Sequence, residues 1–161
     1  GARNTDEKKA LYVAMTRTLP AYNEAYLDEV VETQGKLFAY IAYDFPDMDT
    51  KDFIESYMKS KTRHYIDVSQ TYVSTKNYLE LFEYFCEVDK YQLKKGKALG
   101  VFIPDWIGRF YAYYQWKYDL PSAELLKIVP LDFLKRSFYG LQDLEIEFAA
   151  ARVHDHLKEQ K

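Results

Sequence analysis

The sequence predicts an all-α fold, a single domain over residues 1–161 built as an irregular bundle of about seven to nine helices. Three observations carry that expectation. Apolar residues recur at helical spacing through most of the chain. Pro20, Pro46, Pro121, Pro130 and Gly140 fall where periodic segments stop. Nothing repeats at a fixed period, no low-complexity linker divides the chain, and 161 residues is the length of one domain.

The elements follow in order. Thr5 is an N-cap candidate, and Asp6 and Glu7 complement the dipole of a helix running to about Arg17. Gly1-Ala2-Arg3-Asn4 before it reads as a disordered or leftover extension without an apolar signal region. From Tyr22 to Tyr43, Tyr26, Leu27, Val30, Val31, Leu37, Phe38 and Ile41 mark one apolar face, interrupted at Gln34. Glu24, Asp28, Glu29 and Glu32 form the wet face, with Glu32 placed to pair with Lys36. Asp49-Thr50-Lys51-Asp52 reads as a capped restart, leading into one long helix or two with a break near Ser60. A further helix is expected from Thr75 to about Glu87, with Leu79, Phe82 and Phe85 inward.

Residues 90–100 change character, with Lys90, Lys94, Lys95 and Lys97 gathered around Gly96. This irregular segment leaves room for a short β-hairpin near residues 91–103, pairing Tyr91–Leu93 with Val101–Ile103. A helix then starts at Pro104 and ends near Asp119, and a short one follows from Pro121 to Pro130. Leu131 to Tyr139 and Leu141 to about Leu157 supply the last two, divided at Gly140, with 158–161 as a frayed tail.

Composition narrows the function classes. The net charge of −3 argues against duplex DNA or an anionic membrane as the main partner, since both demand a basic face. No stretch approaches the ~20 apolar residues of a membrane span. Cys86 is the only cysteine, which excludes an internal disulfide and fits a cytoplasmic setting. Tyrosine is over-used, with 16 residues against 10 Phe and 2 Trp. A tyrosine buries a ring but needs a partner for its hydroxyl, so it suits shallow cores and interfaces.

Motifs with chemistry are weighed and mostly set aside. Ala10-Leu11-Tyr12-Val13-Ala14-Met15-Thr16-Arg17 resembles the nucleotide-contacting arginine motif of superfamily 1 helicases, but no P-loop accompanies it. Gly96-Lys97-Ala98-Leu99-Gly100-Val101 lacks the lysine and hydroxyl that should follow the second glycine. Asp44, Asp47, Asp49 and Asp52 fail the calcium-loop pattern, because Lys51 would fall at position 5 and Met58 at position 12. Cys86, His64, His154 and His156 lack zinc spacing, and a Cys86–His64 nucleophile would need the fold to bring them together. No catalytic residue, metal or cofactor is expected. Lys94, Lys95 and Lys97 form a candidate anion site, with RNA binding through the Lys90–Lys97 loop as a minor alternative.

The helix carrying Trp106 to Tyr118 stands out. Ile103, Ile107, Phe110, Tyr111, Tyr114 and Tyr118 form one apolar arc, with Gly108, Ala112 and Gln115 opposite. It is either a central helix packed on most sides or the carrier of a partner-binding patch. The candidate patch is Trp106, Arg109, Tyr113 and Trp116, because Trp, Tyr and Arg dominate interface hot spots. The stretch from Phe102 through Trp106 and Trp116 to Ser122, with Leu141-Gln142-Asp143-Leu144-Glu145, is similar to a group of small uncharacterised bacterial helical proteins. That resemblance implies accessory or toxin–antitoxin-like gene clusters. The expectation is a non-enzymatic module binding another protein, with a tyrosine-lined pocket of a small enzyme or ligand-binding domain as the alternative.

Overall fold

Two glycines inside helices, Gly35 and Gly108, meet where the two longest regular segments cross. The computed structural model describes residues 22–100 and 102–160, so the expected helix from Thr5 to Arg17, and the helicase-like octapeptide within it, lie outside the described residues. Within them, a 3-10 turn (Glu24–Tyr26) leads into α1 (Leu27–Asp44), α2 (Thr50–Met58), α3 (Lys61–Asp67), α4 (Thr71–Ser74) and α5 (Tyr78–Val88). There follow α6 (Phe102–Lys117), α7 (Ser122–Ile128), α8 (Leu131–Leu141) and α9 (Ile146–Glu159). The protein is all-α.

The most extensive helix contact is α1 against α6. A Cβ built on Gly108 would lie 2.6 Å from the Gln34 carbonyl oxygen and 2.9 Å from Gly35 Cα. One built on Gly35 would lie 2.6 Å from Asp105 Oδ1 and 2.7 Å from Arg109 Cγ. The glycines therefore set how near the backbones come. Gln34, which breaks the apolar pattern of α1, is buried and donates Nε2–H to the Gly108 carbonyl at 2.8 Å. Both sides of α6 are covered. Ile107, Phe110, Tyr111 and Tyr114 are buried on one, and Gly108, Ala112 and Gln115 on the other, so α6 is the central helix.

The aromatic residues fill two regions of one hydrophobic cluster. Phe53 of α2 lies edge-on or tilted to Phe38, Phe82, Phe85 and Tyr91, and stacks on Tyr57 at 6.0 Å. Around α6, Phe110 stacks on Tyr114, and Tyr118 stacks on His154 at 3.9 Å. Tyr22, Tyr57, Tyr111 and Tyr114 are fully buried, whereas Tyr40, Tyr65, Tyr78, Tyr84, Tyr91, Tyr113 and Tyr118 sit half-buried against the core.

Several boundaries shift from the sequence expectation, each for a local reason. The segment after Thr50 does break at Ser60, whose hydroxyl accepts the Arg63 N–H and caps α3. The helix expected from Thr75 starts instead at Tyr78, because Asn77 and Glu80 form a reciprocal capping box. Leu81 and Phe85 face inward there, while Leu79 is 45% exposed and Phe82 half-buried. The hairpin near 91–103 is not formed among the described residues. Met48 instead pairs with Lys95 in an isolated antiparallel bridge, and Phe102 and Ile103 already belong to α6. Gly140 does not divide the last two helices. It lies inside α8, and the break falls at 142–145.

Three non-glycine residues adopt positive φ: Ser69 (62°), Lys90 (54°) and Asp119 (51°). Each follows a helix by the same geometry. The next residue's N–H reaches back to the carbonyl five residues earlier: Gln70 to Tyr65, Tyr91 to Cys86, and Leu120 to Gln115. This is the Schellman ending, where glycine is usual. Short polar side chains tolerate that conformation; a lysine is the unexpected occupant.

A buried polar chain ties the short helices together. Arg63 has no exposed surface, and its Nη1 lies 3.5 Å from Asp67 Oδ1. Its Nη2 donates to Gln115 Oε1 at 3.3 Å. Asp67 accepts the Ser122 N–H and hydroxyl at 2.8 and 2.6 Å. Pro121 offers α7 no capping side chain, so a residue of α3 caps it from across the fold. Burial pushes the Asp67 carboxyl up, and Arg63 and the two Ser122 bonds pull it part of the way back. Burial also opposes the charge of Arg63, but Asp67, Tyr22 and Tyr57 outweigh it and hold that guanidinium above its usual value.

Candidate interaction groove

The first half of α1 runs beside the second half of α6, and the start of α9 closes one end. Between them lies an open groove of about 600 Å³. Leu27 and Val31 of α1, Tyr113 and Trp116 of α6, and Ile146 of α9 supply its apolar lining. Glu24, Asp28 and Glu32 recur every four residues, which on a helix aligns them along one rim. Glu147 adds a fourth carboxylate, against the cations Arg109 and Lys117.

Three of the four residues of the sequence-derived patch meet here. Trp116 is half-buried, and its indole N–H donates to the Tyr22 carbonyl at 2.8 Å. Tyr113 lies beside it with ring centroids 6.2 Å apart, and Arg109 is exposed. Burial and the charges of Glu147 and Glu24 push the Tyr113 hydroxyl up, so it stays a neutral donor. Trp106 is not part of the groove. It is buried, tilted against Phe110 and edge-on to Phe138, because it lies seven residues, about 10 Å along the helix axis, from Tyr113, where α8 covers that side of α6.

The other candidate residues fall elsewhere. The Lys94 carbonyl accepts the Asp49 N–H at 2.7 Å, and Lys94 Nζ lies 3.4 Å from Asp52. Lys95 and Lys97 are exposed on the same loop. Cys86 is half-buried, and burial pushes its thiol up, the opposite of what activates a nucleophile. His154 packs on Tyr118, with Nδ1 3.2 Å from the Tyr114 hydroxyl, whereas His156 lies over Phe133. Burial pushes that Tyr114 hydroxyl up to about 12. Among the described residues, no group of three or more His, Cys, Asp or Glu could hold a metal ion. No helix among them is long and apolar enough to cross a membrane.

No protein-family model, curated protein or solved structure matches this chain. Its groove therefore has to be read from its own chemistry. The acidic rim was visible in the sequence as the wet face of α1, but not its role, because nothing local says that α6 and α9 stop short of covering it. A space beside Tyr57 and Gln34, lined mainly by aliphatic and polar side chains, is about 10 Å³, the size of one water molecule.

Proposed function

We propose that this chain is a non-enzymatic interaction module that seats a basic, amphipathic helical segment of another protein in the α1–α6–α9 groove. The observation that carries the reading is the convergence of Trp116, Tyr113 and Arg109 on an open, largely polar groove with an acidic rim. A helix laid into such a groove packs its apolar side on the half-buried Tyr113, Trp116 and Ile146. Its lysines or arginines then meet Glu24, Asp28, Glu32 and Glu147. Tyr and Trp are suited to this because their large rings lose little side-chain entropy on contact. A cytoplasmic setting fits the lone cysteine. The similarity to small bacterial helical proteins makes the product of a neighbouring gene the first partner to test.

The test uses a partner captured by the intact chain and then purified for calorimetric titration. Trp116→Ala and the pair Glu24→Lys/Asp28→Lys should each weaken binding at least tenfold. Added salt should weaken the unmodified complex. The two acidic residues are exposed, so their reversal should shift stability by no more than about 1 kcal/mol. Unchanged or tighter binding by the charge-reversed chain would reject the groove as the docking site.

A further inference from the structure

On the far side of the α2–α5 aromatic cluster, three lysines from two segments face one cleft of about 470 Å³. Lys59 comes from the C-terminal end of α2, and Lys90 and Lys94 from the loop after α5. One carboxylate, Asp89, also lines it, but its oxygens are already engaged at the start of α3. Oδ2 accepts the Lys61 N–H at 2.8 Å, and Oδ1 accepts the Thr62 N–H and hydroxyl at 3.2 and 2.6 Å. Lys94 has a 3.4 Å contact with Asp52 but remains largely exposed. No carboxylate among the described residues pairs with Lys59 or Lys90. With Asp89 and Asp52 counted against the three lysines, the cleft keeps one net positive charge in a chain whose net charge is −3.

The second observation is independent of the charge. Lys90 occupies the Schellman position at φ 54°, where a glycine would be unstrained and a residue carrying a Cβ is not. The comparable positions after α3 and α6 hold the short polar residues Ser69 and Asp119. A lysine at this position carries a conformational cost and adds a second lysine without a carboxylate partner to the border of the cleft. Strain of this kind concentrates at binding sites.

We infer that the cleft lined by Lys59, Lys90 and Lys94 binds a phosphate group of a small ligand. Lysines from two segments bordering one cleft suit a compact dianion, with the Ser56 hydroxyl and Gln92 amide available as further donors. A long polynucleotide fits less well, because a phosphate track needs an extended basic stripe and the chain is acidic overall. The site is separate from the groove, and neither proposal depends on the other.

The experiment titrates the intact chain with sodium pyrophosphate while following backbone amide shifts by NMR. A second arm uses sulfate at matched ionic strength, and a third a single-stranded oligouridylate. Pyrophosphate is expected to give saturable shifts confined to residues around Lys59, Lys90 and Lys94, with at least tenfold preference over sulfate. Lys90→Gly should lower pyrophosphate affinity at least fivefold and yet raise Tm by roughly 2 °C, because it relieves the strained turn. Lys97→Gln, outside the cleft, should leave affinity unchanged. A lower Tm for Lys90→Gly, or an unchanged affinity, would overturn the inference. Sulfate binding as well as pyrophosphate would reduce the cleft to general ionic attraction and overturn it too. Affinity for the oligonucleotide that grows with its length would replace the small ligand by RNA.

Discussion

Gly108→Ala is expected to lower stability by about 2–4 kcal/mol, whereas the same substitution at Gly140 should raise it by up to about 1 kcal/mol. Both glycines lie inside helices, where alanine is intrinsically favoured by ~1 kcal/mol. What separates them is the space around the new methyl group. At Gly140 it meets nothing within 4 Å. At Gly108 it would press on the Gln34 carbonyl at 2.6 Å and on Gly35 Cα at 2.9 Å. These are backbone atoms and cannot swing aside, so α1 and α6 must move apart along their largest contact. Gly35→Ala should fall between the two, because its two nearest obstacles, Asp105 Oδ1 and Arg109 Cγ, are side-chain atoms and the nearest backbone atom, the Asp105 carbonyl oxygen, lies at 3.1 Å. Urea unfolding midpoints at constant m report the order directly. If Gly108→Ala proved as stable as the parent, the close crossing would not be a rigid feature of the fold.

The second large effect is expected at Arg63. Replacing it with Met should cost about 3–5 kcal/mol, since Asp67 is left buried without its cation. Adding Asp67→Asn should recover part of that loss, because the amide oxygen still accepts one bond from Ser122 and no charge remains buried. The deficit of Arg63→Met should depend on pH, and its sign follows from the raised Asp67 carboxyl. A folded pKa above the unfolded value gives stability that is complete below about pH 4. It is lost as pH rises through the folded pKa. Without Arg63 that folded pKa moves higher still, so the window widens upward. The variant's deficit should therefore be smaller at pH 5 than at pH 8, measured by urea unfolding. Equal deficits at the two values would mean that Asp67 is not the group left exposed to the loss.

Much of this architecture can be read from local signals, and its failures are instructive. Helical spacing located α1 and the restart at Thr50, and Ser60 marked the break because a serine cap is a local device. The capping box of Asn77 and Glu80 was equally local, yet a start at Thr75 looked as good by periodicity alone. The loop from Lys90 suggests a hairpin, but Tyr91 packs on Phe53 and Phe85, and Ile103 already belongs to α6. Gly140 looked like a breaker and is a tolerated helix residue. Of the groove, Arg109, Tyr113 and Trp116 are recognisable by residue type, whereas Trp106 shares Tyr113's side of α6 but lies two turns away, where α8 covers it, and no local spacing shows that cover. The Arg63–Asp67 pair lay unremarked at i, i+4 spacing, which on most helices is a solvated pair. Only the arrival of Gln115 and Ser122 from distant segments makes it a buried one.

The placement of the two tryptophans has a spectroscopic consequence. Trp106 is enclosed by Phe110 and Phe138, while Trp116 stands at the lip of the groove with its indole N–H held by the Tyr22 carbonyl. One chromophore therefore emits from a dry setting and the other from a wet one. Covering the groove dries Trp116 and shifts the emission to the blue, whereas unfolding wets both tryptophans and shifts it to the red. Occupancy and unfolding, which intensity alone confuses, therefore move the band in opposite directions without any added label.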